Sequence, residues 1–99
     1  VLVLGMGADM HTASLFPGAD RLPEALSDSA PALMAMRAPG APEPRVTLTA
    51  PVLRGALHVH LVITGAEKRA ALNQAEKLND PLKAPVATIL KDATVHWAE

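Results

Sequence analysis

The sequence predicts an α/β fold, the C-terminal part of an open, mostly parallel, Rossmann-like sheet flanked by helices. Three observations carry this. Two apolar runs, Val1 to Gly5 and Leu57 to Thr64, are short, nearly continuous and stopped by glycine, as the buried strands of a parallel sheet read. A helical period follows the second run, and a last strand pattern follows the helix, which is the spacing of a strand–helix–strand unit. Finally, 99 residues that are 49% hydrophobic and 19% charged are too apolar for a disordered chain and too few for more than one domain.

Each element has its own justification. Val1 to Gly5 reads as a fully buried strand that ends in the tight turn Gly5-Met6-Gly7. Met6 to Gly18 is a loop in which Thr12 to Leu15 forms one helical turn before Pro17-Gly18. Asp20 to Ala30 carries a weak helical signal in Leu22, Ala25 and Leu26. Pro31 to Ala38 alternates loosely and is open between strand and helix. Six of the nine prolines fall between Pro23 and Pro51, which predicts a stiff, loop-rich middle. Arg45 to Thr49 alternates as a half-buried strand. Thr49 is then an N-cap candidate for a short helix that contains Pro51 and ends at Arg54-Gly55. Ala66 to Leu78 is the clearest helix, with Ala71, Leu72, Ala75 and Leu78 on one face. Asn79-Asp80-Pro81 ends it, Ala84 to Leu90 is a short helix, and Thr94 to Ala98 is a final strand.

Composition excludes several functions. Nine basic against ten acidic residues give a formal net charge of −1, so no basic excess is present to neutralise a nucleic-acid backbone. The apolar runs are far below the ~18–20 residues of a membrane span. With no cysteine, disulfides, zinc-finger clusters and thiol nucleophiles are excluded, which is compatible with a reducing cytosol. A domain that opens directly on a buried strand is unusual. The expectation is that residues 1–99 are the C-terminal portion of a single longer domain, and that their unpaired apolar surface favours self-association.

The loop after the first strand concentrates Asp9, His11, Thr12 and Ser14 within six residues. Ligands of open parallel sheets bind at the carboxyl ends of the strands, where this loop lies. Histidine suits general-base work near neutral pH, and Asp9 could hold its tautomer. The competing reading has Asp9 capping the Thr12 turn and His11 facing solvent. Gly5-x-Gly7 lacks the third glycine and long helix of a dinucleotide site, so that reading is rejected.

The segment Gly5-Met6-Gly7-Ala8-Asp9-Met10-His11-Thr12-Ala13-Ser14-Leu15-Phe16-Pro17-Gly18 closely resembles the signature G-x-G-x-D-G-H-T-A-S-L-F-P of the 6-phosphogluconolactonase family. The likeness continues in order through Arg45 to Thr49, Val62-Ile63-Thr64-Gly65 with Lys68, and Val95-x-Trp97. Glucosamine-6-phosphate deaminases share the fold and have D-G-H-I-A-F-N-E-P in this loop. Their glutamate falls where this chain has Phe16, which favours the lactonase over the deaminase. Met10 departs from the pattern, which has Gly there. If that position requires positive φ or room for the sugar, Met10 strains the loop or crowds the pocket. The family's proteins are about twice this length, and their N-terminal half, with a Gly-Gly-Ser-Thr-Pro-type phosphate loop, is not part of these residues.

The resemblance implies a cytoplasmic enzyme of the pentose phosphate pathway that hydrolyses a small sugar-phosphate lactone without cofactor or metal. It implies His11 as general base, oriented by Asp9, with backbone N–H groups of the glycine loop receiving the oxyanion. It implies Arg45 and Lys68 as phosphate contacts. Gly7, Thr12 and Ser14 could contact the substrate, and the two hydroxyls could equally cap the loop. Lys68 also makes sense on its own, because a cation in the first turn of a helix is unfavourable unless an anion sits there too. Its alternative is an exposed lysine beside Arg69, and that of Arg45 is a charge protecting a strand edge. A catalytically silent sugar-phosphate-binding fragment is a further alternative. His58 and His60 point to one face of a strand and could bind a metal, but no cysteine or carboxylate is near in sequence, so an exposed face is expected. His96 reads as a surface residue beside a core Trp97, and Met34 and Met36 as packing.

Overall fold

The computed structural model describes residues 1–99. In chain order the elements are β1 (Leu2–Leu4), α1 (Leu22–Leu26), β2 (Leu33–Ala38), β3 (Ala41–Leu48), α2 (Ala50–Arg54), β4 (Val59–Thr64), α3 (Ala66–Leu78), α4 (Ala87–Leu90) and β5 (Ala93–Ala98). Strands β1, β4 and β5 form a parallel sheet in that spatial order, and β2 and β3 form a separate antiparallel hairpin.

The central strand β4 explains the layering. Its residues alternate, with Val59, Leu61 and Ile63 buried while Val62 and Thr64 face outward. Leu72 and Ala75 of α3, Ile89 of α4, Leu53 of α2 and Leu22 of α1 join the buried side in one apolar cluster. Leu61 is fully buried, which contributes roughly 1.5–3 kcal/mol relative to exposure. Helix α3 starts at Gly65, whose φ of +88° suits glycine, and stops at Asn79 in the left-handed region, whose N–H bonds the Ala75 carbonyl.

The sheet differs from the sequence reading at β1. Val1 and Val3 are 90% and 64% exposed, so this strand is not fully buried. It pairs on one side only, with β4, and Val62 on the same face of β4 is also exposed. Trp97, expected in the core, is also partly exposed. It lies at the end of β5, donating from Nε1 to the Gly65 carbonyl at 3.0 Å beneath the Arg69 guanidinium.

The proline-rich middle is more ordered than its composition suggests. Met34 and Met36 alternate into the core from β2, which makes the segment a strand. Pro42 and Pro44 are accommodated because β3 pairs only with β2 and leaves its other edge free. Thr12 to Leu15 is not helical. It is a tight turn closed by the Leu15 N–H on the Thr12 carbonyl, with Ala13 at φ +51°. Thr49 occupies the N-cap position of α2, but its hydroxyl donates to the Pro31 carbonyl and so ties α2 to the start of the hairpin.

Candidate active site

The loop leaving β1 folds back on itself. The Gly7 N–H donates to the His11 carbonyl at 3.0 Å and the Met10 N–H to the Gly7 carbonyl at 2.9 Å. This hook places Met10 at φ +73°, so the position does require the left-handed conformation that favours glycine, at a cost of roughly 1–2 kcal/mol for methionine. Met10 packs its side chain against the core, and its carbonyl receives the Val86 N–H.

Inside the hook, Asp9 and His11 meet. Oδ1 of Asp9 lies 2.5 Å from Nδ1 of His11 and also accepts the His11 N–H at 3.1 Å. A carboxylate only accepts, so Nδ1 carries the proton and Nε2 is left with its lone pair free. The imidazole stacks on Phe16, with ring centroids 4.2 Å apart and planes 22° from parallel. Gly7 lies against the other components of the pair. A Cβ there would come within 2.3 Å of the His11 ring and 2.8 Å of Asp9 Oδ1. The glycine is needed first by the histidine, and not only for close approach of a ligand.

The remaining candidates fall into two groups. Lys68, in the first turn of α3, lines the same cleft as His11, together with Val3, Leu4, Gly5, Met6, Gly7 and Ala13, in a volume of about 330 Å³. Arg45 reaches from β3 to the other side of the loop. Its Nε donates to Ser14 Oγ at 3.0 Å and its guanidinium lies 5.6 Å from the centroid of the Phe16 ring. Phe16 thus carries both His11 and Arg45, a role the sequence pattern did not disclose. Thr12 is fully buried with its hydroxyl donating to the Gly5 carbonyl, and the Ser14 N–H donates to Thr47. The hairpin also contributes, because Gly40 at the β2–β3 turn comes close to Asp9 and Phe16.

A histidine–aspartate pair in the loop at the carboxyl end of one parallel strand shares a cleft with a lysine at the helix start after the next, which makes the strand ends of this α/β protein the candidate site. The chain belongs to the glucosamine-6-phosphate isomerase/6-phosphogluconolactonase family, whose pattern matches residues 1–97. It is 44% identical over 103 residues to a 6-phosphogluconolactonase of Rhizobium meliloti, covering 99% of this chain and 44% of that protein. It is 42% identical over 99 residues to one of Pseudomonas aeruginosa, covering 98% and 42%. The crystal structure of a 6-phosphogluconolactonase from Shewanella baltica superposes with a TM-score of 0.91 at 31% identity, over 98% of this chain and 43% of that one. The chain therefore spans less than half the length of the relatives it matches. No helix is long and apolar enough to cross a membrane.

Proposed function

We propose that these residues are the catalytic C-terminal portion of a domain that hydrolyses 6-phosphogluconolactone to 6-phosphogluconate. The observation that carries the reading is the orientation of His11. With Nδ1 bound to Asp9 and one ring face on Phe16, Nε2 is the one basic atom of the ring left to take a proton.

In the proposed reaction Nε2 takes a proton from water while the water oxygen attacks the lactone carbonyl. The resulting imidazolium is stabilised by Asp9. Collapse of the tetrahedral intermediate breaks the ring C–O bond, and the proton held on Nε2 returns to the leaving alkoxide. The carbonyl oxygen needs donors. The N–H groups of Gly7, Met10 and His11 are already engaged within the loop. Gly5, Met6 and Ala13 also line the cleft and their N–H groups have no acceptor in the chain, which leaves these amides to receive the oxyanion.

Lys68 and the first turn of α3 offer one anion contact on the cleft wall, and the two terminal nitrogens of Arg45 offer another. The phosphate is remote from the reacting carbon, so its binding energy serves positioning. Thr12, with its hydroxyl committed to Gly5, supports the loop. Ser14 holds Arg45. Phe16, where the deaminase pattern has glutamate, leaves no carboxyl for sugar-ring opening and favours the lactonase reading. The apolar residues on the open sheet face are the surface through which the chain would meet the rest of such a domain, or a second copy of itself.

The test is a chimera in which these 99 residues replace the matching segment of a related lactonase, assayed beside the chain alone. Acid release from freshly generated lactone, with no ammonia from glucosamine 6-phosphate, is the expected result. Ammonia release without lactone turnover would contradict the proposal.

A further inference from the structure

The proposed mechanism leaves Thr47 of β3 unused, although it is buried and bonded to the loop that carries His11. Its Oγ1 accepts the Ser14 N–H at 3.1 Å and donates its one hydrogen to the Leu48 carbonyl at 2.8 Å. Two residues earlier, on the same face of β3, Arg45 donates from Nε to Ser14 Oγ at 3.0 Å. Ser14 is therefore held twice by one strand, at its backbone and at its side chain. These are the two hydrogen bonds that join the loop of residues 5–16 to the hairpin. The strand itself is anchored, because Thr47 lies opposite Met34 and Arg45 opposite Met36, and both methionines are buried.

We propose that Thr47 is a positioning residue of the lactone site, whose hydroxyl sets where the Arg45 guanidinium stands relative to His11. The inference rests on the reading of His11 as base and Arg45 as anion contact, and deepens it. His11 belongs to the loop and Arg45 to the hairpin, so their separation depends on how the two segments dock. The contacts of Phe16 with both side chains tolerate sliding along the ring. The Ser14 bonds do not, since hydrogen bonds weaken steeply as their angle closes.

Thr47 is 1% exposed and Ser14 8%, so solvent cannot replace the bond between them. Without the hydroxyl the Ser14 N–H is buried and unpaired, which costs more than the bond itself contributes. The turn must then shift towards another acceptor. It takes with it Ser14 Oγ and the neighbouring Ala13 amide, one of those left for the oxyanion. A lactone held by Arg45 is then out of line with Nε2 of His11. Arg45 keeps its two terminal nitrogens and its contact with Phe16, so the anion is still bound. The signature is a loss in kcat with affinity preserved.

The chimera that tests the lactone reading also tests this one. Thr47→Val keeps the shape of the side chain and removes the hydroxyl, whereas Thr47→Ser keeps the hydroxyl. In Thr47→Val, kcat should fall by about 10–100-fold, the scale of a misplacement approaching 1 Å. The Kd for 6-phosphogluconate, from calorimetry, should stay at the parent value, and Thr47→Ser should restore kcat. Thr47→Ala leaves room for a water at the Ser14 N–H and should fall between the two, so it carries the test if Thr47→Val does not fold. A merely structural hydroxyl would lower Tm in these variants and leave the kcat of the folded protein unchanged. That result, or an equal loss of kcat in Thr47→Ser, would overturn the proposal. A parent chimera without lactone turnover would refute the lactonase reading itself, and the role of Thr47 with it.

Discussion

Gly7→Ala adds a single methyl group at the narrowest point of the site. The new Cβ would lie 2.3 Å from Cε1 and Nδ1 of His11, where ordinary contact begins at 3.4 Å, so the ring must give way by about 1.1 Å. The loop backbone resists moving instead, because Gly7 is bonded to His11 through its N–H and to Met10 through its carbonyl. Retreat is also limited by Phe16, buried and stacked on the ring at 4.2 Å. A shift of that size breaks the 2.5 Å contact with Asp9 and releases the tautomer that leaves Nε2 basic. Misplacing a catalytic group by about 1 Å costs on the order of 100-fold in rate. Steady-state kinetics of the chimera on the lactone should show kcat reduced by about that factor. KM should change little, because Arg45 and Lys68 are not displaced. A folded Gly7→Ala protein with the parent kcat would refute the reasoning that the Asp9–His11 geometry sets the rate.

Three further outcomes follow from the same structure. At Met10, φ of +73° makes Met10→Gly more stable than Met10→Ala by about 1 kcal/mol, or roughly 4–8 °C in Tm for a chain of this size; differential scanning calorimetry would show the reverse order if the loop is unstrained. Phe16→Leu keeps an apolar side chain in the core but removes the surface under His11 and Arg45, so both a lower kcat and a higher KM are expected. A change in stability alone would mean that the ring only packs. Leu61→Ala opens a cavity at the fully buried centre of β4 and should cost about 2–5 kcal/mol in urea denaturation, whereas a loss below 1 kcal/mol would place Leu61 outside the core.

Much of this architecture was legible in the residue order. Helix α3 has the bounds its period announced, and β4 and β5 are where β-branched runs end at Gly65 or follow a short helix. Local pattern failed where a partner decides the outcome. The segment from Pro31 could be helix or strand until Met34 and Met36 found the core and β3 paired beside it. Burial at β1 and Trp97 was overestimated, since an apolar run states what could be covered and not what covers it. The site shows the same division. Asp9, His11 and Lys68 stood out by residue type and by position at strand ends, and Met10 as a misfit whose cause proved to be positive φ. The link from Phe16 to Arg45, the approach of Gly40 to Asp9 and the bond of Ser14 to Thr47 join segments distant in sequence. No spacing rule along the chain could have revealed them.

The central claim is that His11 is the base, and His11→Ala in the chimera tests it most directly. Its turnover of freshly generated lactone should fall by about 10²–10⁴-fold, with binding of 6-phosphogluconate retained. Turnover equal to the parent's in a folded His11→Ala protein would contradict the account.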